Sequence, residues 1–228
     1  MSAALESVLQ HPGIWRGKQL AQASEETLST GFAELDAELP GGGWPRGTLT
    51  EILLEREGIG ELRLLLPALA RVSGQSAWLA WVAPPHVPYA PALAASGIRL
   101  ERLLIARPQS PADAWWTAEQ ALRSGACGAV LNWLEMPDEK RMRRLQLGAE
   151  SGRSWGVLFR SAAAAQERSP AGLRLRLEPR PDGLAVHILK RRGNPLGRPL
   201  HLDLRPAGSG PASTLSTGPA RKTASHAS

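Results

Sequence analysis

From Thr48 onward, the apolar positions fall into short continuous runs separated by stretches of helical spacing. Thr48-Leu49-Thr50-Glu51-Ile52-Leu53-Leu54 is β-leaning. Ala77-Trp78-Leu79-Ala80-Trp81-Val82, Leu103-Leu104-Ile105-Ala106, Gly128–Leu134 and Trp155–Phe159 have the composition of buried strands. Between them the spacing predicts helices over Leu62–Val72, Tyr89–Ser96, Ser110–Ser124 and about Asp138–Ser151. Ser110-Pro111-Ala112-Asp113 supplies a cap, a first-position proline and an acid in the first turn. Met142, Leu145 and Ala149 form the apolar stripe of the last helix. Strands alternating with helices in this way predict an α/β domain built on a mostly parallel, helix-covered sheet.

The pattern changes towards the ends. Leu173-Arg174-Leu175-Arg176-Leu177 alternates strictly, as expected of a half-exposed strand. Pro179–Gly183 is a turn, and Leu184–Lys190 returns as an antiparallel hairpin partner. Leu200–Leu204 adds an edge strand. Upstream, Leu28–Leu39 reads as a small amphipathic helix, ended by the glycine-proline turn that feeds the first strand. Residues 1–26 form a short helix and a turn-rich arm that carries Ile14, Trp15 and Arg16 as a candidate partner contact. The organisation expected is therefore an arm (1–26), one α/β domain (27–205) and a disordered tail (206–228), rich in Gly, Ser, Pro, Thr and Ala.

Composition narrows the function. The chain has 228 residues, 43% of them hydrophobic, enough for a packed core. It has no apolar run long enough to span a bilayer, and Met1–Gln10 lacks the basic cluster of a secretory signal. The single Cys127 excludes an internal disulfide and a cysteine zinc cluster. The histidines lack metal-ligand spacing, and no nucleophile elbow is present, so neither metal nor cofactor is expected. Cytoplasm is the default compartment, with no membrane role. The net charge of +6 is uneven. An excess of acid before residue 138 gives way to an arginine-rich half with Lys140, Arg141, Arg143, Arg144, Arg174, Arg176, Lys190, Arg191 and Arg192. These are candidates for salt-sensitive, sequence-independent DNA contact or for an acidic partner, weighed against a solvated helix face.

Eight tryptophans accompany one tyrosine and two phenylalanines. Trp78, Trp81, Trp115 and Trp133 fall on core-type positions. Trp15, Trp44 and Trp116 are the better partner-contact candidates, although packing within the chain is favoured at each singly.

Glu55-Arg56-Glu57-Gly58-Ile59-Gly60-Glu61-Leu62-Arg63 lies between a strand and a helix, where a phosphate loop belongs. A working loop follows its last glycine with a lysine for the phosphates and a hydroxyl for Mg²⁺. Here Gly58 and Gly60 lead into Glu61 and Leu62. A carboxylate repels phosphate, and a leucine cannot ligate a metal.

Leu28–Asp36, the glycine-rich turn, Pro45-Arg46-Gly47, the Glu51-Ile52 strand and Gly97–Leu104 together resemble the core of RecA-type recombinases over about residues 27–205. More narrowly, His11–Gly17, the Gly58–Leu62 loop, the Trp-rich second strand and Leu189–Gly193 are similar to the ImuA family of RecA-like translesion-synthesis accessory proteins. Related sequences are often labelled SulA-like cell-division inhibitors. The resemblance implies a RecA-like core with a degenerate nucleotide site. Asn132 stands where the acidic end of the metal-binding strand belongs, and Pro84-Pro85 where the water-orienting carboxylate does, with His86 nearby. No ATP hydrolysis is expected. The implied function is a non-catalytic adaptor in SOS-induced, error-prone translesion synthesis. Its implied partners are a Y-family polymerase homologue (ImuB type), an error-prone replicative-type DNA polymerase, RecA, DNA and further copies of the chain. The alternative is a SulA-like inhibitor binding a tubulin-like GTPase.

Overall fold

The computed structural model describes residues 26–134, 138–191 and 197–204. The N-terminal arm with Ile14, Trp15 and Arg16, the tail, and Arg192 lie outside the described residues. The elements are β1 (Thr27–Leu28), α1 (Ala33–Glu38), β2 (Trp44–Pro45), β3 (Thr48–Leu54), α2 (Glu61–Gly74), β4 (Trp78–Val82), α3 (Ala90–Ala95) and β5 (Leu103–Ala106). They continue with α4 (Pro111–Arg123), β6 (Cys127–Asn132), α5 (Glu139–Gly152), β7 (Trp155–Ser161), β8 (Leu173–Arg180), β9 (Gly183–Lys190) and β10 (Leu200–Asp203). Short 3-10 turns occupy Leu100–Arg102 and Ala162–Gln166.

One eight-stranded mixed sheet runs in the order β10-β9-β8-β3-β7-β6-β4-β5. From β8 to β5 each neighbour is parallel, and β9 and β10 join antiparallel. Period-two alternation sorts the strand side chains between two cores. Ile52, Leu79, Trp81, Leu131 and Val157 meet Leu64, Leu65, Leu69 and Val72 of α2 on one face. Leu49, Ala80, Val82, Val130 and Leu158 meet Trp115 and Leu122 of α4 and Met142 and Leu145 of α5 on the other.

One local expectation is corrected, and two are sharpened. Leu28–Leu39 is not one helix. Leu28 pairs with Trp44 in a two-residue ribbon, and the helix is confined to Ala33–Glu38. The cause is Asp36, whose carboxylate accepts from the Thr30 N–H and the Ser29 hydroxyl, both at 2.7 Å, and holds the entry as a turn. For Trp44, a partner-contact candidate at which packing within the chain is favoured, the packing reading holds. The side chain is fully buried and stacked on Trp155, with centroids 5.2 Å apart. β8 is half-exposed from Arg176 onward, as its alternation predicts, but Arg174 is covered by the Ala162–Gln166 turn and is only 6% exposed.

That coverage creates a buried ion network. Glu51, on β3, has no solvent exposure. Its carboxylate accepts from Arg174 Nε at 2.6 Å, Ser169 Oγ at 2.7 Å and Arg160 Nη1 at 3.3 Å. Arg174 also donates to the carbonyls of Ala164 and Glu167, at 2.7 and 2.9 Å. The network ties β3, β7, β8 and the 3-10 turn together. Every strong donor has an acceptor, as a buried charge requires.

Candidate functional site

In parallel sheets the crevice at the carboxyl ends of the strands collects loops, most openly where successive crossovers leave in opposite directions. Here that point lies between β3 and β7. The chain leaves β3 through α2 towards β4, and leaves β7 towards β8 on the other side of β3. The loops meeting there are 55–60 after β3 and 83–89 after β4, with Trp133 after β6 and Ser161 at the end of β7.

The 55–60 loop is filled from within. Gly58 N–H donates to Glu61 Oε1 at 2.9 Å, and Gly60 N–H to Glu61 Oε2 at 3.0 Å. The first-turn carboxylate of α2 thus occupies the amide cradle that a phosphate would use, with the favourable end of the helix dipole behind it. Gly60 adopts φ 111°, and a Cβ there would lie 3.0 Å from Leu204, so glycine is demanded at that point. Leu62 packs on the core beside this loop.

Asn132 is fully buried, and its amide donates to the carbonyls of Val130 and Val157 at 3.1 and 3.0 Å. It bridges β6 to β7 and presents no charge. Trp133 follows it, stacked on Phe159 at 4.6 Å and tilted against Trp81 at 5.8 Å. His86 is exposed and lies 3.8 Å from Glu57.

Two cavities flank Trp133. One, of about 430 Å³, is bounded by Leu54–Glu57, Phe159 and Arg160. The other, of about 230 Å³, is lined by Leu62, Trp81, Pro84, Pro85, Pro88 and Trp133, with Glu57, Gly58, Glu61 and His86. Val87 and Tyr89, each more than 70% exposed, stand on the adjoining loop. The smaller cavity and the 83–89 loop thus form an aromatic, proline-rich, mainly apolar rim. The larger cavity carries Glu55, Arg56, Glu57 and Arg160 beside Phe159 and Trp133, and the mixture suits a protein surface more than phosphate chemistry. A further crevice near the start of β3 holds Arg46, Gln146 and Arg191, all committed within the fold. Gln146 Oε1 accepts from Thr48 and Leu49, Arg46 faces Glu26, and Arg191 donates to the Glu38 carbonyl.

The basic residues are not gathered into one surface. Arg141 lies over the Trp115 ring and pairs with Asp138, and Arg144 bridges to Glu119 at 2.6 Å. Lys140 and Arg143 are exposed on α5. Arg176 pairs with Glu178, Lys190 donates to the Ser169 carbonyl, and Arg191 is held by Glu38. Arg174 is withdrawn as a contact residue: it is buried against Glu51. Trp116 is exposed, and with Arg141 and Arg144 lines a shallow cleft between α4 and α5. Among the described residues, no cluster of three His, Cys, Asp or Glu side chains is placed to hold a metal.

The family model for the cell division inhibitor SulA matches residues 47–156, a stretch that contains both rim loops. The chain is 37% identical over 119 residues to the cell division inhibitor SulA of Edwardsiella piscicida, covering 50% of this chain and 71% of that protein. It is 32% identical over 127 residues to the SulA of Photorhabdus laumondii, covering 56% and 68%. The chain belongs to the SulA family. The crystal structure of SulA from Pseudomonas aeruginosa aligns with 28% identity and a TM-score of 0.42, over 49% of this chain and 97% of that one.

Membership in the SulA family corrects the resemblance drawn from the sequence. The ImuA assignment, the RecA-like core and the translesion-synthesis function are replaced. The implied partners of that function, a Y-family polymerase homologue, an error-prone replicative polymerase, RecA and DNA, fall with it. What misled was the strand, glycine loop and helix context. In this chain the loop is a closed turn around Glu61. Sequence reasoning also missed the rim itself, whose signal was the apolar, proline-rich run Pro84–Tyr89 directly after a buried strand.

Proposed function

We propose that this chain is a non-catalytic inhibitor of bacterial cell division, acting in the cytoplasm by binding a tubulin-like division GTPase through the carboxyl-edge rim. The observation that carries it is the 37% identity across 71% of a cell division inhibitor, joined to a rim that is apolar and aromatic. An inhibitor of this kind needs only an exposed docking surface on a rigid sheet, and Val87, Tyr89 and Trp133 offer one. Catalysis of phosphoryl transfer needs a cation cradle and a metal carboxylate, whereas this loop holds Glu61 and the strand end holds Asn132. None of the described helices is long and apolar enough to cross a membrane.

The test is controlled expression in a rod-shaped bacterium. Cells become long, undivided filaments with segregated chromosomes, and the same dose of a Val87→Asp, Tyr89→Asp double variant leaves division normal. Normal division with abundant, folded wild-type protein would contradict the proposal.

A further inference from the structure

We infer that the 230 Å³ cavity beneath the 83–89 loop is an anchor pocket for one apolar side chain of the division partner, seated between Trp81, Trp133 and the loop prolines. The inference rests on the function proposed above and names the chemistry its partner must offer.

Two observations support it. Beside Glu57, Gly58, Glu61 and His86, the lining is apolar, made of Leu62, Trp81, Pro84, Pro85, Pro88 and Trp133, so the pocket favours an apolar group over a strongly hydrated one. Trp81 is 1% exposed and packed in the core, so it forms a fixed wall whose indole reports on what enters the cavity beside it.

The flank sets the charge of the occupant. Glu57 lies on the pocket wall 3.8 Å from His86, Glu55 is exposed and forms no ion pair among the described residues, and exposed Arg56 between them leaves the Glu55–Glu57 turn with a net negative charge. Glu61 is turned to its own loop amides. The occupant is therefore an apolar residue, such as leucine, adjoining a lysine or arginine.

The experiment follows the tryptophan indole signals of the full-length ¹⁵N-labelled protein during titration with N-acetyl-leucyl-lysinamide. The Trp81 signal is identified by its loss in Trp81→Phe. The expected result is a saturable shift of the Trp81 indole signal, abolished by Leu62→Trp, which fills the cavity. Should Leu62→Trp not fold, judged by thermal melting, Pro88→Trp takes its place. In parallel, affinity for the purified tubulin-like division GTPase falls about thirtyfold in the filled variant, the scale of a hot-spot loss. A Trp81 signal indifferent to the peptide overturns the inference, as does equal GTPase affinity of wild type and filled variant. A Trp81 shift that depends on protein concentration alone also overturns it, placing a second copy of the chain in the pocket. Peptide binding without any GTPase binding by wild type would instead overturn the division function and leave the pocket's chemistry standing.

Discussion

Glu51 carries more of the fold than its place in an apolar strand suggests. Its carboxylate is the shared acceptor of Arg174, Arg160 and Ser169, at zero exposure. Removing one member strands the others in a low-dielectric interior, which typically costs about 3–5 kcal/mol. Glu51→Ala is therefore expected to lower the urea midpoint steeply with the m-value unchanged. A loss under about 1 kcal/mol would contradict the buried network. Cys127 gives a second check. Burial pushes its thiol up from the ordinary range, with a smaller opposing effect from Ser124. The folded chain therefore keeps the proton after the unfolded chain has released it. Stability then declines as the pH rises through the ordinary thiol range and above, and Cys127→Ala flattens that decline. Denaturant titrations at neutral and alkaline pH decide it. At this scale the sequence showed that Glu61 is hostile to phosphate, because charge sign is written in a residue type. That its two oxygens close on the amides of Gly58 and Gly60 was not legible, since it depends on the left-handed turn at Gly60.

Elements were legible wherever a local signal was strong. The Ser110-Pro111-Ala112-Asp113 start is realised, with the Asp113 N–H donating to Ser110 Oγ at 3.1 Å. Ser110→Ala should cost about 1 kcal/mol, read as a small drop in melting temperature, and Ser110→Gly only a few tenths. Equal losses in both would show that the cap contributes nothing specific. The stripe of Met142, Leu145 and Ala149 is buried as spaced. Where long-range contacts override local pattern, legibility ended. The alternation of β8 forecasts an exposed arginine face, which Arg176 keeps, but the turn at Ala162–Gln166 covers Arg174. Packing within the chain is the favoured reading of Trp44, yet no local pattern names its partner Trp155, which lies far along the chain. Neither sequence separation nor the third dimension is written in a window of ten residues.

For the whole molecule, the order of strands and helices was legible, and the lineage was misassigned. A strand, glycine loop and helix is a local context shared by chains of unrelated function, and function resides in the side chains placed on it. The arginine-rich half shows the same limit. Its net charge was correct, but Arg174 lies inside and Arg176 and Arg191 are paired with carboxylates of the chain, so the count does not describe one polyanion surface. The central claim is that the chain inhibits division by occupying a tubulin-like GTPase without chemistry of its own. Light scattering of that GTPase assembling with GTP, titrated with this protein in the absence of ATP, tests it most directly. Assembly should be suppressed in proportion to added protein, complete near one molecule per GTPase, and restored by Val87→Asp with Tyr89→Asp. Unchanged assembly in the presence of folded protein, or suppression that appears only with ATP, would contradict it.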